Sequence, residues 1–317
     1  MNLSIIIPNY NGEKLLQKNL PKVLEAVKDY KMGTVEIIIP DDPSTDKSRE
    51  VIQQFIESIK DENIIGKTIE NRNKKEAGFS KNVNRGVTLA TGDILIFLNT
   101  DVVPRRGFLE PLLKHFEDEK VFAVSCMDES VEGDIIVLRG RGVGSWQRGL
   151  LVHSRGDIDK NDTLWVNGGS GAFRKSIWDK LRGFDSLYDP FYWEDIDLSY
   201  RGLKSGYKIF FEKESVVIHE HEKGIVHTKF KSSVVKRTAY RNQFIFVWKN
   251  ITQTNLLFSH IFWLPYHFLK ATASRDWVFF TGFYLALLKL PKIRESRALA
   301  KRYFIRTDSE VIKEHRE

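Results

Sequence analysis

Short apolar runs alternate with longer amphipathic segments along the first hundred residues of the chain. Four such runs predict buried strands, at 3–7, 35–39, 64–69 and 94–98. Between them apolar residues recur with helical spacing, which predicts helices over 13–30, 47–60 and 77–91. Strands that alternate with helices and are apolar on both faces form a parallel sheet covered on both sides. The pattern therefore predicts an α/β fold.

The pattern is less regular beyond residue 101. It predicts a helix over 107–118, a strand over 121–125, and helices over 173–181 and 198–206. Two short strands are expected at 207–211 and 215–218. Residues 127–162 read as irregular, with a hairpin near Gly133. We expect residues 1–226 to form one domain in two halves, 1–101 and 102–226.

The character of the chain changes in its last third, and residues 227–317 are predicted to form a basic, aromatic-rich helical extension. Apolar and aromatic runs fill 255–290, but charged residues interrupt them, so no uncharged run within 255–290 reaches the ~18 residues of a spanning helix. Over 255–306, aromatic and aliphatic residues are interleaved with Lys and Arg, which is typical of helices that lie on an anionic membrane surface. Packing on the domain or on a second copy of the chain, as a homodimer, is the open alternative.

Charge supports this division of the chain. Residues 227–317 hold 17 Lys and Arg against 6 Asp and Glu, a balance of +11, so a total of +7 leaves −4 for residues 1–226. Nucleic acid is not the expected partner, because the basic residues are interleaved with apolar ones. The single cysteine, Cys126, excludes an internal disulfide and a cysteine-based zinc site. With no signal-peptide pattern at the start, a cytoplasmic location is expected.

Polar residues cluster where the predicted strands end. Asn9 and Tyr10 follow the first strand, Asp41 and Asp42 the second, and Asp101 the fourth. The carboxyl ends of parallel strands form the ligand crevice of an open α/β sheet. No Gly-x-Gly-x-x-Gly follows the first strand, so the dinucleotide fingerprint is absent. Carboxylates such as Asp101 suit Mg²⁺ or Mn²⁺, although a lone Asn-Thr-Asp is also a common turn.

An acidic stretch over 190–198 is the strongest candidate for chemistry. Glu194 and Asp195 follow three bulky residues, and Asp197 lies two further on. Aromatic neighbours desolvate an acid, raise its pKa and fit it to accept a proton from a hydroxyl. The alternative is that these acids only cap the following helix. Further on, His219 and His221 could complete a Mn²⁺ site or form a surface pair.

These motifs together resemble the inverting family 2 glycosyltransferases of GT-A fold, over about residues 1–225. Residues 5–11 resemble the family's opening strand and loop. Residues 41–46 resemble its nucleotide-base motif, with Pro43 where Gly or Asn is usual. Residues 77–86 resemble its helix beside the diphosphate, and 99–101 occupy its Asp-x-Asp position, with Asn99 in place of the first Asp. Residues 193–195 resemble its acceptor and base motif. The resemblance thus implies a nucleotide-binding half over 1–101 and an acceptor half over 102–226.

The resemblance implies a role for each matched residue. Asp195 is the expected base, Glu194 binds the acceptor, and Asp101 with His219 holds Mn²⁺ or Mg²⁺, with His221 as the alternative ligand. The donor, a dTDP-, UDP- or GDP-sugar, is expected to contact Pro8, Tyr10, Asn11, Asp41, Asp42, Lys81, Asn82, Asn99 and Thr100.

The expected activity is therefore an inverting transfer from a nucleotide-diphosphate sugar to a glycan or lipid-linked acceptor. The sequence details look most like bacterial rhamnosyltransferases of lipopolysaccharide or capsule synthesis, at the inner face of the plasma membrane. A non-catalytic sugar-nucleotide-binding subunit is the alternative from another class. A nucleotidyltransferase would need a basic, Gly-rich phosphate loop after the first strand, and residues 8–12 do not supply one.

Overall fold

The computed structural model describes residues 1–220 and 231–317 of the chain. The predicted boundary between residues 226 and 227 and the alternative ligand His221 lie outside the described residues. Among the described residues, no helix has the length and apolar character needed to cross a membrane.

Four parallel strands build the first half of the sheet, as the apolar pattern predicted. They are β1 (Leu3–Ile6), β2 (Val35–Asp41), β3 (Ile64–Glu70) and β4 (Ile94–Leu98), paired in the order β3-β2-β1-β4. The helices between them are α1 (Glu13–Val27), α2 (Ser48–Ser58) and α3 (Phe79–Val87). Because these four strands are parallel, their carboxyl ends lie at the same edge of the sheet. The loops after β1, β2 and β4 therefore lie next to one another.

The second half makes the sheet mixed. Its elements are β5 (Val102–Pro104), α4 (Leu109–Lys114), β6 (Val121–Glu132), β7 (Ile135–Arg139), β8 (Gly142–Gln147), β9 (Leu150–Arg155), β10 (Ser170–Arg174), α5 (Lys175–Leu181), α6 (Glu194–Lys204) and β11 (Lys208–Glu220). Three short 3₁₀ turns lie at Lys74–Glu76, His115–Glu117 and Ser186–Tyr188. The sheet continues from β4 in the order β10-β6-β11-β5, with β10 antiparallel to both neighbours.

Several boundaries predicted beyond residue 101 were wrong. Residues 127–162 are not irregular, because β6 continues to Glu132, turns at Gly133 into β7, and a second hairpin pairs β8 with β9. The two short strands predicted over 207–218 are one strand, β11, with a register shift between Glu212 and Val216. The acidic helix begins at Glu194 rather than at Leu198, so the acids occupy its first turn.

The core of the sheet lies where β4 meets β10. All five residues of β4 are buried. Phe97 on β4 stacks on Phe173 of β10 with 5.0 Å between ring centroids, and Trp178 meets Phe97 edge-on at 4.9 Å. Aromatic pairs of this kind contribute about 0.5–1.5 kcal/mol each beyond the area that they bury. This packing fixes the loop before β10, which enters the candidate site.

The C-terminal extension is helical, as predicted. Its helices are α7 (Ser232–Asn250), α8 (Thr254–Ala273), α9 (Trp277–Leu287), α10 (Leu290–Lys301) and α11 (Asp308–Glu314). Buried ion pairs join it to the helix that carries the acids. Lys249 of α7 lies 2.8 Å from Asp197 of α6, and Asp308 of α11 lies 2.6 Å from Lys204. Since all four side chains are buried, α6 and the extension form one packed unit.

Candidate active site

The loops after β1 and β2 are joined by hydrogen bonds. The buried side chain of Asn9 donates from Nδ2 to Oδ1 of Asp41 at 2.7 Å. The amide of Asn11 donates to Oγ of Ser44 at 2.8 Å, and the amide of Thr45 donates to Oδ1 of Asn11 at 2.6 Å. The other residues predicted in the first loop lie nearer its surface: half-buried Pro8 and exposed Tyr10. The structure thus brings the two predicted donor loops together.

The adjacent acids after β2 differ in their surroundings. Asp41 is fully buried, and burial raises the pKa of its carboxyl. Asp42 accepts hydrogen bonds at Oδ1 from Asn71 and Arg85, both at 3.2 Å, and at Oδ2 from the amide of Gly78 at 2.9 Å. Asp42 therefore ties the end of β2 to the start of α3.

Helix α3 carries two further predicted donor residues, which point in different directions. Asn82 is buried and donates from Nδ2 to the carbonyl oxygens of Asn9 and Pro40, both at 3.1 Å. It therefore holds the strand ends in place. Lys81 lies at the rim, where its Nζ is 3.1 Å from a carboxylate oxygen of Glu76.

The predicted metal residues meet at the end of β4. Asn99, Thr100 and Asp101 form the turn into β5, and Nε2 of His219 lies 3.2 Å from Oδ2 of Asp101. Nδ1 of His219 lies 3.1 Å from Oδ2 of Asp128, a buried acid on β6 that the sequence analysis missed. Burial lowers the pKa of His219, but the hydrogen bonds to Asp101 and Asp128 outweigh it and raise that pKa to about 9.

The chemistry of this donor set fits Mn²⁺ or Mg²⁺. A carboxylate oxygen of Asp101 and an imidazole nitrogen of His219 face each other, and both are suitable ligands for such an ion. A metal-binding histidine is neutral and usually donates its other N–H to a carboxylate, which is the place that Asp128 occupies. Within residues 1–220 and 231–317, no group of three or more His, Cys, Asp or Glu side chains has a metal-holding arrangement.

The acid pair at the start of α6 is desolvated, as its aromatic neighbours predicted. Glu194 is buried, and its Oε2 has no hydrogen-bond partner among the described residues. Burial, followed by the charge of Asp195, raises the pKa of Glu194 well above its usual range. Burial also raises the pKa of Asp195 to about 6, even though the amides of Ile196 and Gly168 hydrogen-bond to its carboxylate. A carboxylate of this kind is a stronger proton acceptor than one in water.

Two glycines connect the metal side of the site to the acid pair. The amide of Asn99 donates to the carbonyl of Gly169 at 2.9 Å, and the amide of Gly168 donates to Asp195. A Cβ at Gly169 would lie 2.2 Å from Nδ2 of Asn99, so a larger residue would displace the turn. The loop before β10 therefore sets the distance between Asp101 and Asp195.

Asp189 is a half-buried acid that the sequence analysis did not single out. Its Oδ1 accepts a hydrogen bond from the amide of Ser80 at 3.0 Å, at the start of α3. Burial raises the pKa of Asp189 to about 6. Gly78 has a φ of +148°, and a Cβ there would lie 2.5 Å from Cγ of Asp189. The acidic loop and the donor helix are thus in direct contact, which no local pattern could indicate.

Helix α7 of the extension holds the loop in front of the acids. Asn242 donates from Nδ2 to the carbonyls of Tyr188, Phe191 and Tyr192, at 2.9, 3.0 and 2.8 Å. Arg241 donates to the carbonyl of Tyr188 at 3.1 Å. Neither residue was predicted, because nothing in the sequence relates α7 to a loop about fifty residues upstream.

Solved structures share this arrangement of sheet and helices, which is the GT-A fold. One is Staphylococcus aureus TarS (residues 1–349) with UDP-GlcNAc, with a TM-score of 0.61 and 13% identity, covering 96% of this chain and 91% of that one. Another is the mannosyltransferase PcManGT of Pyrobaculum calidifontis with GDP-Man and Mn²⁺, with a TM-score of 0.57 and 16% identity, covering 95% and 85%.

The sequence assigns the family. The profile of glycosyl transferase family 2 matches residues 4–182, more than half of the chain, and the chain belongs to that family. It is 25% identical to the O-antigen chain rhamnosyltransferase RfbN of Salmonella typhimurium over 226 residues, which are 70% of this chain and 67% of RfbN. It is 30% identical to a pre-mycofactocin glycosyltransferase of Mycobacterium tuberculosis over 164 residues, but spans only 32% of that relative.

Proposed function

We propose that the protein is an inverting glycosyltransferase that moves a sugar from a nucleotide-diphosphate sugar to an acceptor hydroxyl, with Asp195 as the base. The observation that carries the proposal is the contact through Gly168 and Gly169, which links the turn at Asn99, two residues before Asp101, to the desolvated Asp195. A single displacement that inverts the anomeric carbon needs one base, whereas a glycoside hydrolase needs a pair of carboxylates.

Each group of residues has a separate role in the proposed reaction. The nucleotide would lie between the loops at Asn9–Asn11 and Asp41–Asp42 and the start of α3, and Asp101 with His219 would hold the ion. A bound Mn²⁺ or Mg²⁺ supplies positive charge beside the leaving diphosphate. Asp195 accepts the proton of the acceptor hydroxyl as that oxygen attacks the sugar from the opposite face. Glu194, buried and partly unpaired, is placed to hydrogen-bond an acceptor hydroxyl.

The relatives support a role in cell-surface glycan synthesis. RfbN is described as an O-antigen chain rhamnosyltransferase, and WbaN of Salmonella anatum, 25% identical over 229 residues, has the same description. A further relative from Campylobacter jejuni, 25% identical over 189 residues, is described as a glucosyltransferase acting on a diphosphate-linked undecaprenol glycan. We infer a glycan or lipid-linked acceptor for this chain, with a UDP-, dTDP- or GDP-sugar as donor.

The extension is proposed to rest on an anionic membrane at the inner face of the plasma membrane. Large apolar side chains are exposed along α8 and α9, and Phe262 is 76% exposed. Others on these two helices are Phe258, Ile261, Leu269, Trp277 and Tyr284. Together with the excess of Lys and Arg after residue 227, this is the pattern of helices that lie in a membrane interface.

The test is a transfer assay paired with donor binding in the presence of Mn²⁺. Asp195→Asn should lower the transfer rate by about 10²–10⁴-fold while nucleotide-sugar binding persists, because the donor is held elsewhere. Glu194→Gln should weaken acceptor use and serves as the matched isosteric variant on the same turn. Near-wild-type turnover by Asp195→Asn would refute the assignment of the base. Nucleotide-sugar binding without transfer by the wild type would instead favour a non-catalytic binding subunit.

A further inference from the structure

A cavity of about 510 Å³ lies beside the loop that carries Gly168. Its lining residues are Arg139, Gly140, Arg141, Arg155, Trp165 and Asn167. Asn167 precedes Gly168, whose amide hydrogen-bonds to Asp195. The cavity therefore begins next to the proposed base, on a side of the site where none of the predicted donor residues lies.

Three arginines give this cavity its charge, and their partners differ. Arg141 is buried, and its guanidinium is neutralised by Asp162 at 2.9 Å and Glu317 at 2.7 Å. Arg139 pairs with Glu132. Arg155 is exposed at the end of β9, and its guanidinium makes no hydrogen bond or ion pair within the part of the chain that the structure describes. A planar guanidinium with free donors suits a phosphate oxygen pair.

An aromatic surface lies between the arginines and the acids. The half-buried ring of Trp165 lies over Gly142, where a Cβ would come within 2.4 Å of the ring. His153 meets Trp165 edge-on at 5.2 Å and Trp193 at 4.9 Å, and Trp193 directly precedes Glu194. Rigid rings offer a large apolar contact area for the faces of a sugar.

An apolar strip lies on the far side of Arg155. A second cavity of about 430 Å³ shares Arg155 and is lined by Ile136, Leu138 and Ile158, together with Val137, Gly156 and Asp157. Ile136 and Leu138 alternate on β7, so they share one face of that strand, and they are 59% and 37% exposed. Among the described strands, β7 pairs with β6 alone, so no strand within residues 1–220 and 231–317 covers its other edge. Exposed apolar side chains along such an edge mark a binding surface.

We propose that this surface binds an acceptor in which a saccharide is joined through a diphosphate to a lipid. Trp165 supports the saccharide near Asp195, Arg155 binds the diphosphate with Arg139 beside it, and Ile136 with Leu138 contacts the first part of the lipid. The order of aromatic, cationic and apolar surfaces matches the order of the three parts of such a molecule. The inference rests on the proposed transferase function and names the chemical class of its acceptor.

The test measures binding of three probes to the full chain by calorimetry in EDTA, which keeps the donor site free of metal. The probes are farnesyl diphosphate, farnesol and inorganic pyrophosphate. Farnesyl diphosphate should bind at least about 10-fold more tightly than either of the others, because only it engages both surfaces. Arg155→Ala should weaken that binding by about 10-fold, and Ile136→Ser should remove most of the advantage over pyrophosphate. Arg294→Ala, an exposed arginine on α10, is the matched control and should change nothing.

Equal binding of farnesol and farnesyl diphosphate, or an unchanged affinity in Arg155→Ala, would overturn the proposal. Pyrophosphate binding as tightly as farnesyl diphosphate would overturn its lipid half. Binding of UDP-, dTDP- and GDP-sugars with Mn²⁺ is measured in parallel on the wild type. A wild type that binds no nucleotide sugar refutes the transferase function itself. A wild type that binds one, but shows no Arg155-dependent binding of farnesyl diphosphate, refutes only the acceptor subsite.

Discussion

Replacing Asp195 by Asn should make the protein more stable while it removes the proposed base. The carboxylate of Asp195 ionises in a desolvated place beside buried Glu194, and this raises its pKa from 3.8 to about 6. Ionisation therefore opposes folding at neutral pH. An asparagine keeps the size and the hydrogen bonds from Ile196 and Gly168 but carries no charge, so this opposing free energy disappears.

The magnitude follows from the pKa of Asp195. The difference between 3.8 and about 6 corresponds to about 3 kcal/mol, at about 1.4 kcal/mol for each pKa unit. Because the folded state binds this proton more tightly than the unfolded state, the wild type loses stability as pH rises from 3.8 to about 6 and no more above that. Asp195→Asn does not lose stability in this way. The difference in free energy of unfolding between the variant and the wild type should therefore be near zero at the lowest pH and reach its full value at pH 7.

The assay is urea unfolding of both proteins across this pH range, compared at each pH so that other titrating groups cancel. Asp179→Asn, at an exposed acid on α5, is the control and should track the wild type. A variant no more stable than the wild type at pH 7, or an advantage that grows as the pH falls, would refute the account of Asp195 as a desolvated base. Gains of this kind are common where a functional group is held in an unfavourable environment.

Three further predictions concern other parts of the molecule. Asp197→Asn should destabilise the fold by about 3–5 kcal/mol in the same urea assay, because buried Arg201 loses its carboxylate partner and buried Lys249 keeps only Asp185; an unchanged midpoint would contradict the buried ion pairs. Asp101→Ala should abolish the effect of Mn²⁺ on nucleotide-sugar affinity measured by calorimetry, and wild-type transfer undiminished by EDTA would show that no ion is needed. Phe262→Asp should reduce sedimentation with anionic vesicles, with added salt weakening the wild type as well; a salt-insensitive dimer in size-exclusion chromatography would favour subunit packing instead.

The first half of the fold could be predicted because its signals are local. Strands such as β4 are apolar on both faces and end in turn residues, so both their burial and the polar edge after them can be read from the pattern. The strands within residues 127–162 could not be predicted from the apolar pattern. The second part of β6, from Met127, mixes acids with apolar residues, and one of these acids, Asp128, contacts the distant His219. β8 begins with Gly142, where a Cβ would meet the ring of Trp165.

The same difference between local and distant signals decides which residues of the candidate site could be predicted. Glu194 and Asp195 were found because the desolvating aromatic residues are their neighbours in sequence. Asp128 and Asp189 were missed because their partners, His219 and the start of α3, lie about ninety and a hundred residues away. The role of such an acid can be inferred only from the residues that it contacts. Those contacts arise from the topology of the sheet and not from the spacing of residues along the sequence.

The C-terminal extension has a structural role in the site that follows from the backbone in front of the acids. Tyr192 and Trp193 have φ values of 70° and 76°, in a region that side chains of this size rarely adopt, and such residues cost of order 1–3 kcal/mol each. The three hydrogen bonds from Asn242 to the loop carbonyls offset this strain. The profile of the family ends at residue 182, before this loop begins. The position of Asp195 therefore depends on a helix outside the matched region. We therefore expect a chain cut after β11 to lose the geometry of the acid pair, even though Glu194 and Asp195 are both present.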